Sequence, residues 1–249
     1  MGSRIFLWLG GMSGVGKTTA ARTVARRHDL WFYSLDARTY AHAERLPPDE
    51  RTPDELWVDR TPEEMADHFE ADARERWPLV VEDLAAIPDD GAPVLVDGPQ
   101  LPPHVAPALF VVATPEVQRE LVVARGSLTY SRTRDPERAL ANRLRRDELL
   151  RERLLSYAVE VTDVRQTEPV VDAFVREHAR DWLARADRGD VASRRRDDND
   201  RRLDQWRRYA VHEPRAREGT IELACECNRP GCAEVVPTVF GATRPFLAH

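Results

Sequence analysis

The sequence predicts an α/β fold: a parallel five-stranded sheet flanked by helices, followed by a small Cys-rich appendage. Three observations predict it. Short apolar runs alternate with segments of helical period, the first run leads into a glycine-rich loop, and the three cysteines are confined to the last 25 residues. A chain of 249 residues accommodates one domain of about 150–190 residues and a smaller second unit. The expected division is a main domain over 1–187, a charged linker or helix over 188–212, and a Cys-rich tail over 213–249.

The elements follow in order. Ile5-Phe6-Leu7-Trp8-Leu9 is a continuous apolar run before glycines, as a parallel strand buried on both faces requires. Between Thr18 and His28, Ala20, Ala21, Val24 and Ala25 recur at helical spacing, and Trp31 to Leu35 reads as a second strand. Thr61-Pro62-Glu63-Glu64 places an N-cap before a proline at the first helical position, and the helix it starts should run toward Trp77, with a second piece near Leu79 to Leu84. Val94-Leu95-Val96 ending in Asp97, and Leu109-Phe110-Val111-Val112, are two further strands. A helix starts at Thr114-Pro115-Glu116. A long one from Pro136 to about Ala158 sets Leu140, Leu144, Leu150 and Leu154 on one stripe, Val159 to Val161 is the fifth strand, and a helix from about Glu168 to Arg188 closes the domain. Strands alternating with helices imply right-handed crossovers.

Composition narrows the function. No apolar run approaches the roughly 18–20 residues of a spanning helix, and the N-terminal run leads into the loop rather than to a cleavage site, so a cytoplasmic location away from membranes is expected. Of the 37 Lys and Arg residues only Lys17 is lysine. Arginine replaces lysine wherever a surface charge suffices, but a phosphate-binding loop requires a compact ammonium where a planar guanidinium does not fit. Asp187 to Arg208 holds eight arginines and six aspartates, a mixed run that reads as a solvated linker and helix. The net charge of -6 weighs against a nucleic-acid partner.

Gly11-Met12-Ser13-Gly14-Val15-Gly16-Lys17-Thr18 fits G-x-x-x-x-G-K-[ST] between a predicted strand and a predicted helix, which is the context that gives the motif meaning. Backbone amides curl inward, Lys17 reaches the β and γ phosphates, Thr18 offers a hydroxyl to Mg²⁺, and Thr19 continues the helix start. ATP or GTP with Mg²⁺ is the expected ligand. Asp97 ends a strand and suits the carboxylate that holds magnesium through water, or caps the strand. Asp36 ends the second strand beside the phosphates, where it accepts an acceptor proton, binds substrate, or is an ordinary turn residue. Arginines 125, 132, 134, 138, 143, 145 and 146 crowd one segment punctuated by Gly126-Ser127, like a lid. Within it Arg143 and Arg146 share a helix side from which they could reach phosphate oxygens. An acceptor pocket is expected within the Ala37 to Ile87 insertion, with Tyr40, His42, Trp57 and His68 either lining it or packing.

The GMSGVGKTT loop, Asp36, Val94-Leu95-Val96-Asp97-Gly98-Pro99 and the Arg-rich segment resemble the small-molecule and nucleoside-monophosphate kinase branch of P-loop NTPases, in the broad group of chloramphenicol phosphotransferase and shikimate kinase. With Asn142-Arg143 and Arg146-Asp147, the whole is most similar to uncharacterised actinobacterial ATP/GTP-binding proteins. The resemblance covers about residues 4–187 and implies that Asp36 contacts the acceptor and that lid arginines reach the phosphates. Leu101-Pro102-Pro103 stands after Gly98-Pro99-Gln100 where nucleoside-monophosphate kinases have an arginine. The tail resembles a segment common in actinobacterial proteins, here Cys225-Glu226-Cys227, Cys232 and His249. Three thiolates and an imidazole suit tetrahedral Zn²⁺; free or buried thiols are the other reading. The expected function is phosphoryl transfer from ATP to a small hydroxylated acceptor. The alternative is an ATP-dependent regulatory switch whose tail engages a partner protein.

Overall fold

The computed structural model describes residues 4–99, 101–102, 105–125 and 132–248. Five strands, β1 (Phe6–Gly11), β2 (Trp31–Ser34), β3 (Val94–Asp97), β4 (Ala108–Ala113) and β5 (Ala158–Val161), form one parallel sheet in the order β2-β3-β1-β4-β5. The α/β architecture read from the sequence is therefore the one observed. Strands β1 and β3 are adjacent in the sheet, and their register pairs Leu9 with Asp97, while Ser34 of β2 pairs with Asp97 from the other side. The backbone N–H of Leu35 then donates to the Asp97 carbonyl at 2.8 Å. This register, set by apolar strands that are buried on both faces, delivers Asp36, Asp97 and the glycine loop to one end of the sheet.

Helices cover both faces. On one, α1 (Lys17–Arg27) packs against α7 (Thr167–His178), where Asp172 takes hydrogen bonds from Arg27 at 3.2 Å and Arg176 at 2.5 Å and lies 2.7 Å from the His28 ring. On the other, α4 (Pro62–Ala85) packs against α6 (Pro136–Leu154), with Trp77 of α4 meeting Trp8 of β1 at 5.5 Å between ring centroids. Short helices α2 (Thr39–Ala43) and α3 (Pro53–Trp57) precede α4, α5 (Pro115–Arg125) follows β4, and α8 (Arg180–Leu183) follows α7.

Two local expectations are corrected. Helix α4 runs unbroken through Pro78, which is exposed, as is Arg74, the residue whose carbonyl Pro78 cannot bond. Helix α6 ends earlier than predicted, and of the leucine stripe Leu150 is buried and Leu154 packs against the core, while Ala139, Arg146 and Asp147 fill the rest of the buried side.

The charged stretch also departs from a solvated linker. It forms α9 (Val191–His212), which lies along the edge strand β2 and ahead of an antiparallel hairpin, β6 (Thr220–Ala224) and β7 (Val235–Val239). Leu203 and Trp206 build a second small core with Leu223 and Phe246. Charge does the rest of the docking. Arg194 binds Asp90 at 2.7 Å and the Asp29 carbonyl at 3.0 Å, and Arg195 binds Asp29 at 3.1 Å, both partners of that last pair being 3% exposed. Asp29 stands at φ 56°, turning the chain from α1 into β2, and also accepts the Gly231 amide at 2.9 Å. No helix among the described residues is long and apolar enough to cross a membrane.

Removing one partner of a buried pair leaves the other charge uncompensated, so Asp29→Ala and Arg195→Ala should each cost about 3–5 kcal/mol, and the double variant less than the sum. Urea unfolding at pH 7 is the measurement. A single variant with the parental midpoint would remove this pair as the anchor of α9.

Candidate functional site

The loop between β1 and α1 is shaped by glycine. Gly11 has φ 113°, and a Cβ there would sit 2.0 Å from the Val111 carbonyl oxygen of the neighbouring strand, so no other residue fits. Gly16 caps α1 at φ 81°. This helix start has no side-chain cap and no acidic residue in its first turn, whereas α3 and α4 each carry a full Thr/Glu capping box. The amides that such a box would satisfy are left facing the loop's interior, as an anion site requires.

The loop's outward carbonyls are held instead. Thr167 on α7 donates to the Val15 carbonyl at 2.6 Å, and the Gln118 amide on α5 donates to the Ser13 carbonyl at 3.0 Å. Lys17, 5% exposed, folds back so that its ammonium donates to the Met12 carbonyl at 2.5 Å. A small polar cavity of about 120 Å³ opens above, bordered by Ser13, Gly14, Gly16, Lys17, Thr18, Thr19, Asp36 and Pro99. Met12 and Val15 are buried behind it.

Thr18 and Asp97 meet here. The Thr18 hydroxyl donates to Asp97 Oδ2 at 2.6 Å, while Asp97 Oδ1 is buried without a hydrogen-bond partner. A hydroxyl and a buried carboxylate with an unsatisfied oxygen fit a hydrated divalent cation beside phosphates. Burial holds the Asp97 carboxyl up at about 6, against the Lys17 ammonium and the Thr18 hydroxyl, which favour the anion; Asp36 adds repulsion. Asp36 itself opens the turn after β2, exposed on the rim of the same cavity.

A second cavity, about 320 Å³, adjoins the first, sharing Ser13 and Pro99 with it. It lies between α4 and α6 and is faced mainly by carbon, from Phe69, Ala73, Leu101, Leu150 and Tyr157. Of the four residues expected to line an acceptor pocket, none borders either cavity. His42 is buried 3.1 Å from Asp83, Tyr40 stacks on His212, His68 lies 2.7 Å from Arg51, and Trp57 lies beneath Arg143 and Arg146.

Those two arginines converge on Asp147, which the sequence shows beside Arg146 but gives no role. Asp147, 1% exposed, accepts from Arg143 at 2.7 Å, from Arg146 at 2.7 Å and from Gln118 at 3.4 Å. Arg146 borders the carbon-lined cavity, and neither arginine borders the phosphate cavity. The i, i+4 spacing of Arg143 and Asp147 was the available signal. The expected lid segment falls partly on 126–131, outside the described residues.

At the tail, the sulfurs of Cys225, Cys227 and Cys232 lie within 4.8 Å of one another. Zinc–sulfur bonds of about 2.3 Å place tetrahedral ligands about 3.8 Å apart, so a small closure suffices. Burial alone would raise the Cys227 thiol, but hydrogen bonds from the Arg229 backbone and the neighbouring cysteines bring it down to about 6. The Ala248 amide donates to Cys225 Sγ at 3.3 Å; His249, next in sequence, lies outside the described residues.

Because the Asp97 carboxyl sits at about 6 when folded against 3.8 as an ordinary carboxyl, the folded chain binds the extra proton between those values, and stability falls as pH rises through them. Asp97→Asn escapes that cost, so its advantage over the parent should grow between pH 4 and pH 7.5. Urea midpoints that keep a constant difference across this range would contradict the assignment.

A family model described as an AAA domain matches residues 6–150. No curated protein matches the chain significantly. Among solved structures, the chain is similar to an uncharacterized protein from Eubacterium ventriosum, at 13% identity and a TM-score of 0.34, covering 70% of this chain and 99% of that one. It is also similar to shikimate kinase from Bacteroides thetaiotaomicron, at 16% identity and a TM-score of 0.37, covering 71% and 98%.

Proposed function

The chain belongs to the AAA domain family, and from that premise we propose that it is an ATP-dependent phosphotransferase acting on a hydroxyl of a small molecule. The observation that carries the reading is the pair of cavities that share Ser13 and Pro99, one polar and ringed by Lys17, Thr18 and Asp36, the other large enough for a second reactant. A nucleotide switch needs only the first.

Each residue has a role in this proposal. Lys17 and the amides of Gly14 to Thr18 hold the β and γ phosphates of ATP, or of GTP. Thr18 and Asp97 hold Mg²⁺, which when bound offsets charge on the phosphate oxygens. Asp36, exposed and therefore free to exchange protons with water, takes the proton of the acceptor hydroxyl. Arg143 and Arg146 are the lid arginines of this reading, both held by Asp147, and Arg146 borders the acceptor-side cavity. Zinc held by Cys225, Cys227, Cys232 and His249 would fasten the tail against Arg195, whose guanidinium donates to the Cys227 carbonyl at 2.6 Å. That contact, reaching Asp29 behind α1, is also what the rival switch reading would use to pass nucleotide state to a partner protein.

Ground-state binding and transfer should separate by mutation. Lys17→Ala should weaken Mg·ATP binding at least tenfold, about 1.4 kcal/mol. Asp36→Asn should leave that affinity within about threefold and slow single-turnover transfer roughly 10²- to 10⁴-fold. Calorimetry paired with quenched-flow transfer reads both. A parental transfer rate in Asp36→Asn makes Asp36 a turn residue only.

Elemental analysis of the full chain after metal-replete expression should find about one zinc per molecule, released by chelator or acid because thiolate ligands must stay deprotonated. A zinc-free chain would leave three free thiols and no metal anchor.

A further inference from the structure

Resting on the phosphotransferase reading, we infer that the acceptor is an uncharged, carbon-rich alcohol with a single ring-sized apolar body, rather than a nucleotide, a sugar or another polyol. The cavity beside the phosphate site holds about 320 Å³, near the lower end of the roughly 300–1,000 Å³ that small-molecule sites occupy. Its walls are mostly hydrocarbon. Phe69 and Ala73 come from α4, Leu101 from the segment after β3, and Leu150 from α6. Tyr157 closes the far side, its ring set edge-on to Phe110 at 5.1 Å and 88°.

Most of the charge at this cavity is already paired within the protein. Arg153 binds Glu70 and Asp67, each at 2.8 Å, and Arg146 binds Asp147 at 2.7 Å while lying 5.4 Å from the Phe69 ring centroid. Arg74, the remaining charged residue at the cavity among those described, is solvent-exposed, where water screens it. A nucleoside monophosphate would find only the water-screened Arg74 outside these pairs, and would have to displace carboxylates from the other two guanidinium groups to use them. A polyol would exchange water for carbon at most of its hydroxyls, since each buried hydroxyl needs a partner. An alcohol with one hydroxyl and a hydrocarbon body has neither difficulty.

The shared border fixes its direction. Its hydroxyl points to Ser13 and Pro99, toward the phosphate cavity, and its ring lies between Phe69 and Tyr157. In the transfer, the acceptor oxygen forms a bond to the γ-phosphorus and the bond from that phosphorus to the bridging oxygen breaks. The electron pair leaves with the nucleoside diphosphate, and the acceptor proton passes to the Asp36 carboxylate and on to water. The products are a phosphate monoester and ADP.

The test incubates the full chain with Mg·ATP and either benzyl alcohol, 2-phenylethanol, 3-phenylpropanol or 2-naphthylmethanol, or glycerol, inositol or uridine monophosphate. ADP release and the phosphorus resonance of the ester are read together, with Mg·ATP binding measured separately. Aromatic alcohols should raise ADP release at least tenfold over the acceptor-free rate and yield monoesters, with KM falling about three- to fourfold per added methylene. Ala73→Phe, which fills the cavity, should raise KM for 2-naphthylmethanol at least tenfold more than for benzyl alcohol at an unchanged melting temperature. Equal effects on both alcohols would overturn the inference. So would ester formed only from glycerol, inositol or uridine monophosphate, a result that leaves the phosphotransferase reading standing. No ester from any compound while Mg·ATP is bound overturns both.

Discussion

The constraint on which the rest depends is that a backbone presenting its amides inward must present its carbonyls outward. Between Gly11 and Thr18 the chain curls its N–H groups toward the loop's interior, and this leaves acceptors on the protein side that burial would otherwise make costly. The carbonyls of Ser13 and Val15 are met by Gln118 on α5 and Thr167 on α7, elements more than a hundred residues away in the chain. Those two side chains therefore fix the loop between helices of opposite faces of the sheet. Gln118 also reaches Asp147 at 3.4 Å, so the same amide joins the phosphate side to the wall of the larger cavity. The two cavities are neighbours because one side chain bridges their supports.

What the sequence revealed follows from covalent spacing. The loop was legible because eight consecutive residues carry its geometry, and Lys17 stands out in a chain that otherwise uses arginine for its basic side chains. Asp97 and Asp36 were legible as strand ends, since a parallel sheet brings such ends together. The larger cavity was not. Phe69, Leu150 and Tyr157 converge only when α4 packs on α6, and nothing in their spacing distinguishes them from ordinary core. The role of Asp147 was hidden for a related reason: in an arginine-rich stretch an aspartate reads as surface, and its contact with Gln118 of another helix is not legible from spacing.

The docking of α9 shows the same ambiguity in the opposite direction. Mixed charge ordinarily marks a solvated segment, yet Arg194, Arg195, Asp198 and Asn199 are buried, against Asp90, Asp29, Arg22 and Ala224 in turn. Arginine makes this feasible, because its planar, weakly hydrated fork can satisfy carbonyls and carboxylates at once while its face covers a ring, as Arg194 does over Trp182 at 5.1 Å. The edge strand β2 is covered in consequence: Arg201 donates to the Phe32 carbonyl at 3.1 Å and lies over Tyr33. An edge that would otherwise offer unpaired backbone groups to another chain is closed by side chains rather than by a further strand.

The two carboxylates at the sheet's end illustrate how position, rather than residue type, separates roles. Asp36 and Asp97 stand one strand apart, and the Asp36 charge adds to the burial that disfavours the Asp97 anion. Asp97 is 1% exposed and held up at about 6, so as an anion it lacks compensation that Lys17 and Thr18 only partly supply. Such a group gains most from a cation placed beside it. Asp36 is exposed, in open contact with solvent. Exchanging their environments would remove the basis of both proposed roles, since a buried base could not shed its proton and an exposed metal ligand would gain little from the metal. The fold sets this difference through a single step along β2: Ser34 pairs with Asp97 inside the sheet, and two residues later the chain has left it.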